Sequence, residues 1–242
     1  MNAQFLPRSD LSDAQVDAML RLLTRHFSGV TRPSFLADLD DKSHALLLTD
    51  TAHRLLGFST LDFRLTSFRG QTESLVFSGD TIMDPESWNS TILSRAWIEA
   101  VYMLHARIGQ GPLWWLLITS GFRTYRLLPV FWREFFPHCH ADPPPDVSAR
   151  LAAFARDRFG PAFDPVTGIV RLSHPQRLRP HLQGVPIKRT RNRHVAFFNQ
   201  RNPGHPDGDE LACLTRLDPA NLTRAGQRIV NTIRQHPVLS QR

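Results

Sequence analysis

The sequence has few cysteines and no long apolar run, and both shortages narrow what the protein can be. Two cysteines, Cys139 and Cys213, are too few for a disulfide framework. This count fits a reducing cytoplasm, where we expect the protein, but it would fit other compartments too. The longest apolar stretch, Leu113–Ile118, is far shorter than the ~20 residues of a membrane helix, so no membrane span is expected. Met1–Asp10 lacks a basic stretch followed by an apolar block, so no signal peptide is expected either.

Lysine is also scarce, and arginine carries nearly all of the positive charge. Lys42 and Lys188 are the two lysines among 29 basic residues, and the formal net charge is +7 with a sequence pI of about 10.6. A strongly basic chain suits an acidic partner such as nucleic acid, a phosphorylated cofactor, an anionic lipid or an acidic carrier protein. A GC-rich genome produces the same arginine bias, so both explanations stay open.

Enough apolar sequence is present for a folded core, since hydrophobic residues make up 41% of the chain. Helical and alternating periodicities predict an α/β (α+β) fold with a mixed, mostly antiparallel sheet flanked by helices. The predicted helices of the first half are Leu11–Phe27, Ser34–Asp41, Ile92–Ile108 and Phe122–Phe136, the last of them interrupted or ended near Pro129. The predicted strands of that half are His44–Thr51, Leu55–Phe63, Glu73–Met83 and Leu113–Ser120.

Local signals support the helix boundaries. Ser12 and Gln15 have the spacing of a capping box, and Ser34 is the expected cap of the second helix. Apolar residues recur four apart from Ile92 onward, and Gly109 closes that helix.

A proline-rich linker, Asp142–Asp146, divides the chain into a core over residues 1–140 and a C-terminal region over 146–242. We expect Asp146 to cap a helix that runs to Phe159. Strands are expected at Gly168–Leu172, His194–Asn199 and Glu210–Leu217, and a final helix is expected to open at Asp218. The C-terminal region would either complete the sheet or shape an acceptor or acyl pocket.

A strand–turn–helix succession marks the centre of the chain. A strand ends at Asp84, the loop Pro85–Thr91 follows, and a helix starts at Ile92. The next strand, Leu113–Ser120, is continuous and apolar. This order resembles the GNAT acyltransferase superfamily over about residues 11–137, most closely over 73–136.

The resemblance implies a site for an acyl thioester. In that family, backbone N–H groups of the loop and helix N-terminus hold the pyrophosphate of coenzyme A, because unpaired amides and the helix dipole favour an anion. It therefore places the donor against the loop and along the end of the next strand. The residues implied are Trp88, Asn89, Ser90, Thr91, Thr119 and Ser120.

This loop has no glycine and carries an acid at Glu86. In that respect it is similar in character to the branch of acyl-homoserine-lactone and long-chain N-acyl amino acid synthases, which take acyl groups from acyl carrier protein. A basic surface suits an acidic carrier. The donor expected is therefore acyl-CoA or acyl-acyl carrier protein.

The function that follows is N-acyl transfer from a thioester to an amine of a small metabolite or lipid precursor. Such a reaction needs a base for the amine, a donor for the thioester oxygen, and a proton for the leaving thiolate. Asp80 is the candidate base and Tyr125 the candidate acid. Asp80 could instead be a half-exposed strand residue, Tyr125 a packing residue, and Tyr102 is a second choice of acid.

Two further patterns compete with this prediction. His138 and His140 share a face of an extended segment, but no second Cys/His cluster lies at a zinc-like spacing, so no metal is expected. A basic stretch followed by Phe197 and Phe198 would suit single-stranded nucleic acid, which makes a non-catalytic basic binding module the alternative function. A homodimer is left open. The basic residues of the stretch are Arg177, Arg179, Lys188, Arg189, Arg191 and Arg193.

Overall fold

A computed structural model describes residues 1–88, 90–140, 142–183 and 191–239. Three residues singled out above, Asn89, Lys188 and Arg189, lie outside the described residues. An eight-stranded sheet has the strand order β1-β3-β4-β5-β6-β10-β8-β7. Its strands are β1 (Asn2–Pro7), β3 (His44–Thr49), β4 (Leu55–Phe68), β5 (Gln71–Met83), β6 (Leu113–Thr119), β7 (Phe163–Asp164), β8 (Ile169–Val170) and β10 (Glu210–Arg216).

Helices pack on both faces of this sheet, and a separate two-stranded pair joins β2 (Phe27–Ser28) to β9 (Arg177–Leu178). The helices are α1 (Asp13–His26), α2 (Arg32–Asp40), α3 (Ile92–Ile108), α4 (Phe122–Tyr125), α5 (Leu127–Phe131), α6 (Pro145–Phe159), α7 (Pro180–Gln183), α8 (Arg193–Arg201) and α9 (Arg224–Gln235). In the described part of the chain, no helix is long and apolar enough to span a membrane.

Strand pairing is antiparallel throughout the eight-stranded sheet except between β5 and β6, which run parallel. A parallel pair needs a crossover, and α3 provides it. The predicted fold class, a mixed and mostly antiparallel sheet flanked by helices, is confirmed.

The first strand, β1, is absent from the sequence prediction. It pairs with β3 along its whole length, and it buries Ala3 and Leu6. Ala3, Phe5 and Leu6 do not alternate strictly with polar residues in this short segment, so the pattern alone does not identify a strand and the pairing partner decides its conformation.

The first two helices follow local capping chemistry. Ser12 and Gln15 form the predicted capping box at the start of α1. The second helix begins earlier than predicted, at Arg32, because Thr31 rather than Ser34 is the cap. Ser34 instead supplies the third helical position of that capping box.

The helix predicted over Phe122–Phe136, with an interruption or end near Pro129, is indeed broken there. It divides into α4 and α5, and helix ends at Phe131. The ring of Pro129 clashes with a helical carbonyl four residues earlier, at Tyr125, which is where α4 ends. Beyond α5 the chain bridges to other segments, with Phe136 opposite Leu214.

The second half of the chain adds strands to the sheet and corrects three further predictions. Segment His194–Asn199 lies in helix α8, not in a strand, because Val195 and Phe198 are three apart and bury one helical face. Helix α6 begins at Pro145 without a side-chain cap; Asp146 pairs with Arg150 instead. The last helix begins at Arg224, not at Asp218, and Thr223 caps it.

The two faces of the sheet have different cores. On the face covered by α3, three indole rings pack in series at tilted angles: Trp97 to Trp115 at 4.5 Å and Trp115 to Trp132 at 5.1 Å between centroids. On the opposite face, α1 and α2 cover one end of the sheet and α6 covers the other. The Arg158 guanidinium of α6 binds Asp62 at 3.1 Å and also binds Asp41, so charged side chains connect the two ends on that face.

Candidate active site

The parallel pair β5 and β6 separates towards its carboxyl end. The strands pair only over Ser74–Ser78 and Leu113–Leu117. Strand β5 then continues to Met83 and β6 to Thr119 without further pairing between them. Their facing backbone groups are not satisfied by each other there, so an extended ligand could pair with them as a strand does.

A β-bulge lies where the strands separate. Between the pairs Ser59–Thr81 and Leu61–Ser78, Thr60 stands opposite two residues, Gly79 and Asp80. A Cβ at Gly79 would lie 2.5 Å from Thr60 Oγ1 and 2.5 Å from Lys42 Cε, so a larger residue would have to displace both side chains. The sequence pattern predicted the strand but not this extra residue.

A cavity of about 80 Å³ opens from the gap towards α3. This volume has room for a short chain of heavy atoms rather than a single water. Most of its wall is apolar, and a few hydroxyl groups interrupt it. The lining residues are Ser59, Ser78, Gly79, Thr81, Leu93, Ser94, Trp97, Ile98, Trp115, Leu117, Ile118, Thr124, Leu127, Phe131 and Trp132.

Hydrogen bonds fix the hydroxyl groups at the mouth of this cavity. The Trp115 indole N–H donates to Ser78 Oγ at 2.8 Å. The hydroxyls of Ser59 and Thr81 lie 2.8 Å apart, across β4 and β5. The cavity is therefore a preformed apolar slot with few polar groups, the character typical of a small-molecule site.

Asp80 leaves the bulge on the opposite face of the sheet. Burial raises the pKa of its carboxyl to about 7; the nearby Asp38 carboxylate raises it further, while Lys42 and a hydrogen bond from the Gln176 side chain lower it. Its Oδ2 atom is buried and has no hydrogen-bond partner. A carboxyl group with a pKa near neutrality and one unsatisfied oxygen is suited to exchanging a proton with a ligand.

A second carboxyl, that of Glu210, lies close enough to interact with Asp80. Burial raises the pKa of Glu210 to about 8; the Asp80 charge raises it and the backbone N–H of Ser120 lowers it. Glu210 is the first residue of β10, and the sequence analysis missed it as a site residue. The available signal was an acid at the edge of an apolar strand, which is too common to identify a site.

A strap from the C-terminal region, Pro175–Arg179, lies over this carboxyl pair. Gln176 reaches Asp80, and β9 within the strap pairs with β2. The Arg179 N–H donates to His26 O at 2.8 Å, and Arg177 Nε donates to Asp207 O at 3.1 Å. The strap is thus held at one end by α1 and at the other by the loop before β10.

The predicted pyrophosphate loop follows β5 directly. Its first residues form a 3-10 turn, Pro85–Ser87, capped by Asp84, whose carboxylate accepts from Glu86 N–H at 3.2 Å. Ser90 Oγ accepts from Ile92 N–H at 3.2 Å, while Thr91, the residue before α3, makes no side-chain cap. Several loop amides are therefore already used within the loop.

The side chain of Arg123 packs against the loop. The Arg123 guanidinium lies 4.4 Å from the centroid of the Trp88 indole, which is partly exposed. Arg123 also donates to Leu182 O at 2.9 Å. This stacking brings α4 and the loop together and places positive charge where the resemblance expects phosphate.

The predicted residues at the end of β6 serve the turn into α4. Thr119 Oγ1 accepts from Gly121 N–H at 3.0 Å, so it fixes the turn. The backbone N–H of Ser120 interacts with Glu210, which connects this turn to the carboxyl pair. Both residues therefore lie beside the gap, although their side chains do not line the cavity.

The two tyrosines are in different surroundings. Tyr125 is fully buried, burial raises its pKa, and its hydroxyl donates to Pro137 O at 2.9 Å. Its ring packs on Phe135 and Phe198. The structure does not bring it into the cavity, which favours the packing role. Burial also raises the pKa of Tyr102, to about 12, and its hydroxyl is not part of the cavity wall.

A cluster of possible metal ligands lies elsewhere. His138, Cys139 and His194 present ligand atoms that all lie within 4.8 Å of one another. Burial lowers the pKa of His194 to about 4, and His138, Arg193 and His140 lower it further. The sequence pattern suggested His138 and His140 as a chelating pair, whereas His194 was predicted to lie in a strand and is 55 residues from Cys139.

No family model matches the sequence, and no curated protein matches it. Several solved structures are similar to part of this chain. A tetramutant protein from Bacillus halodurans is 15% identical, with 60% of this chain and 99% of that chain covered and a TM-score of 0.40. A GNAT family N-acetyltransferase from Escherichia coli, solved in complex with CoA, is 14% identical, with 50% and 64% covered and a TM-score of 0.37.

A third similar structure is a conserved protein of unknown function from Enterococcus faecalis, described as a probable N-acyltransferase. It is 14% identical, with a TM-score of 0.41, and the similarity covers 56% of this chain and 33% of that one. This chain therefore spans about a third of that protein. At TM-scores this low, the similarities carry no information about substrate or mechanism.

Proposed function

We propose that this protein transfers an acyl group from a thioester to an amine of a small metabolite or lipid precursor. The observation that carries the proposal is the gap between β5 and β6, with an apolar cavity on one face and the Asp80–Glu210 carboxyl pair on the other. A thioester seated in the gap would be reached by an amine from the carboxyl face. The donor chain would then lie on the cavity side of its own thioester carbonyl, and the acceptor amine would reach that carbonyl from the opposite side of the sheet.

Asp80 is the proposed base. With a pKa of about 7, its carboxyl is partly ionised at neutral pH and can take the proton of an ammonium group. Glu210, with a pKa of about 8, holds its proton more tightly under the same conditions. The two groups titrate as a coupled pair, so the pair carries about one proton near pH 7.5.

Bond changes then follow in order. The amine nitrogen attacks the thioester carbon, and backbone groups left unpaired in the gap stabilise the oxyanion by hydrogen bonds. The C–S bond breaks, the electron pair leaves with sulfur, and the thiolate takes up a proton from solvent. The C–N bond of the amide remains. The nitrogen has lost two protons: the ammonium proton passes to Asp80 and from there to solvent, and the second passes to solvent after the attack, which balances the proton taken up by the thiolate.

For the donor, we propose acyl carrier protein in preference to free coenzyme A. The turn Pro85–Ser87 uses its own amides: Glu86 N–H donates to Asp84, and Trp88 N–H donates to Pro85 O at 3.3 Å. Fewer amides then remain for a pyrophosphate. A single phosphate beside Arg123, together with a basic surface for an acidic carrier, fits this arrangement.

The test offers one acyl chain on both carriers, with a panel of primary amines, and measures thiol release. We expect amine-dependent release, faster from the carrier protein and slowed by salt. Equal or faster release from coenzyme A would reject the donor preference alone. No amine-dependent release from either donor would reject acyl transfer.

The alternative function, a basic binding module, predicts a different outcome. Two members of its basic stretch, Arg177 and Arg179, donate to backbone carbonyls of the fold, which lowers their availability to phosphate. Tight, salt-dependent binding of single-stranded RNA or DNA by a chain that shows no acyl transfer would establish that module in place of the enzyme.

A further inference from the structure

A second cluster of reactive side chains lies outside the gap and its cavity. His138 and Cys139 come from the segment that follows α5, and His194 comes from the first turn of α8. Cys139 Sγ lies 3.3 Å from His194 Nδ1. None of the three lines the cavity. We propose that these three side chains bind one zinc ion.

The ligand atoms have the right chemistry for zinc. One thiolate and two imidazoles form a Cys-His₂ set of soft and borderline donors, which suits Zn²⁺ rather than Mg²⁺ or Ca²⁺. Among residues 1–88, 90–140, 142–183 and 191–239, no other group of three such side chains is close enough to hold an ion. The sequence spacing hid the site, because α8 supplies one ligand across the fold.

The distances are close to those that zinc imposes. Zn–S near 2.3 Å and Zn–N near 2.0–2.1 Å at tetrahedral angles place sulfur and nitrogen roughly 3.5 Å apart. The observed 3.3 Å between Cys139 and His194 differs little from this value. His138 requires a small contraction, since all three atoms lie within 4.8 Å. Three ligands leave a fourth position for water or for His140, whose ring lies 5.4 Å from that of His138.

Zinc binding would displace one hydrogen bond and connect α8 to the segment that follows α5. His140 N–H donates to His138 Nδ1 at 3.1 Å, and coordination through that nitrogen displaces this hydrogen bond. In exchange, the ion ties α8 to the segment after α5. These segments already meet beneath the cluster, where Tyr125 donates to Pro137 O and packs on Phe198. Zinc should therefore raise the thermal stability of the folded chain.

Cobalt(II) is the direct probe, because a cobalt–thiolate bond gives a charge-transfer band in the near ultraviolet. The full chain, without a histidine tag, is titrated anaerobically with CoCl₂ and then with ZnCl₂. We expect one equivalent of Co²⁺ to produce the band and one equivalent of Zn²⁺ to abolish it. Zn²⁺, unlike Mg²⁺, should also raise the melting temperature.

The chain offers a matched control, since it has two cysteines. Cys139→Ser should abolish the band and the zinc-dependent rise in melting temperature, whereas Cys213→Ala should keep both. His194→Gln removes a ligand, so it should weaken binding by more than the roughly tenfold that loss of an outer-shell partner costs. A His140→Ala variant that binds as wild type would leave the fourth position to water; tenfold weaker binding would assign that position to His140.

The wild-type titration alone is decisive. Absence of a charge-transfer band at stoichiometric Co²⁺ would overturn the site, even if every variant failed to fold. A band retained in Cys139→Ser would overturn it as well. Because the readouts are metal binding and thermal stability, loss of acyl transfer in a separate assay would bear on the proposed function and not on this site.

Discussion

The two faces of the sheet differ at the same pair of separating strands. Towards α3, the gap opens into an apolar slot lined by indole, leucine and hydroxyl groups. Towards α2 and the strap, the same gap meets Asp80, Glu210 and Lys42. A single bulge, at Gly79 and Asp80, is where the two environments diverge.

This difference separates binding from proton transfer. An apolar slot favours a neutral acyl or thioester segment, since burying charge there would cost several kcal/mol. A half-buried carboxyl pair favours a cation such as an ammonium group. The sheet separates the apolar slot from the carboxyl pair. The gap where β5 and β6 do not pair connects the two.

The substitution Asp80→Asn is the strongest test of this difference between the two faces. The substitution keeps the size of the side chain but removes the base, so we expect acyl transfer to fall by about 10²–10⁴-fold. Steady-state kinetics of thiol release gives the measurement. The same change at Asp157, which is exposed on α6, is the control and should leave the rate unchanged. Wild-type turnover in Asp80→Asn would remove Asp80 from the mechanism.

The two carboxyl groups should also make the free energy of unfolding fall as the pH rises. Asp80 and Glu210 have pKa values in the folded chain near 7 and 8, above their ordinary 3.8 and 4.5. Between those limits the unfolded chain releases protons that the folded chain retains, so the free energy of unfolding falls from pH 4 towards pH 8. At 1.36 kcal/mol per pKa unit each group corresponds to about 4–5 kcal/mol, so a change of several kcal/mol is expected.

Urea unfolding at a series of pH values measures this dependence. Asp80→Asn should flatten it and should unfold at a higher urea concentration than wild type at pH 8, although its activity is lost. An Asn variant less stable than wild type at pH 8 would show that the carboxylate is not buried at a net cost.

A larger side chain in the apolar cavity tests the role of the α3 face. Ser94 lies on α3 at the cavity wall, and Ser94→Phe adds a ring where the acyl segment would sit. We expect kcat/KM for a long acyl donor to fall by roughly 10-fold or more. Ser94→Ala, which keeps the space, is the matched control. Equal losses in both variants, or none in either, would place the acyl chain elsewhere.

A smaller effect is expected at the loop. Arg123→Gln removes the cation stacked on Trp88, and the KM for the thioester should rise by about tenfold, the value of one charged hydrogen bond. The exposed Arg133→Gln provides the comparison at equal net charge. An unchanged KM in Arg123→Gln would show that donor phosphate binds away from α4.

Much of the local structure followed from short-range signals. The capping box at Ser12 and the four-residue spacing from Ile92 specify α1 and α3, because their hydrogen bonds and apolar faces close within the segment. The buried strand β6 was equally clear from a continuous apolar run. The error at His194 arose because a short apolar run fits both a strand and a helix, and only packing of Val195 and Phe198 selects the helix.

The sequence by itself determined the order of the central elements from β3 to β6, the strand–turn–helix at Asp84 and the candidacy of Asp80. Tertiary structure alone decided where β5 and β6 stop pairing, and it brought Glu210, Gln176 and His194 to their partners. Those contacts join residues far apart in the chain. The conformational preference of a single segment therefore does not predict them. The pKa of Asp80 is likewise a property of burial, which exists only once strands, helices and strap have assembled.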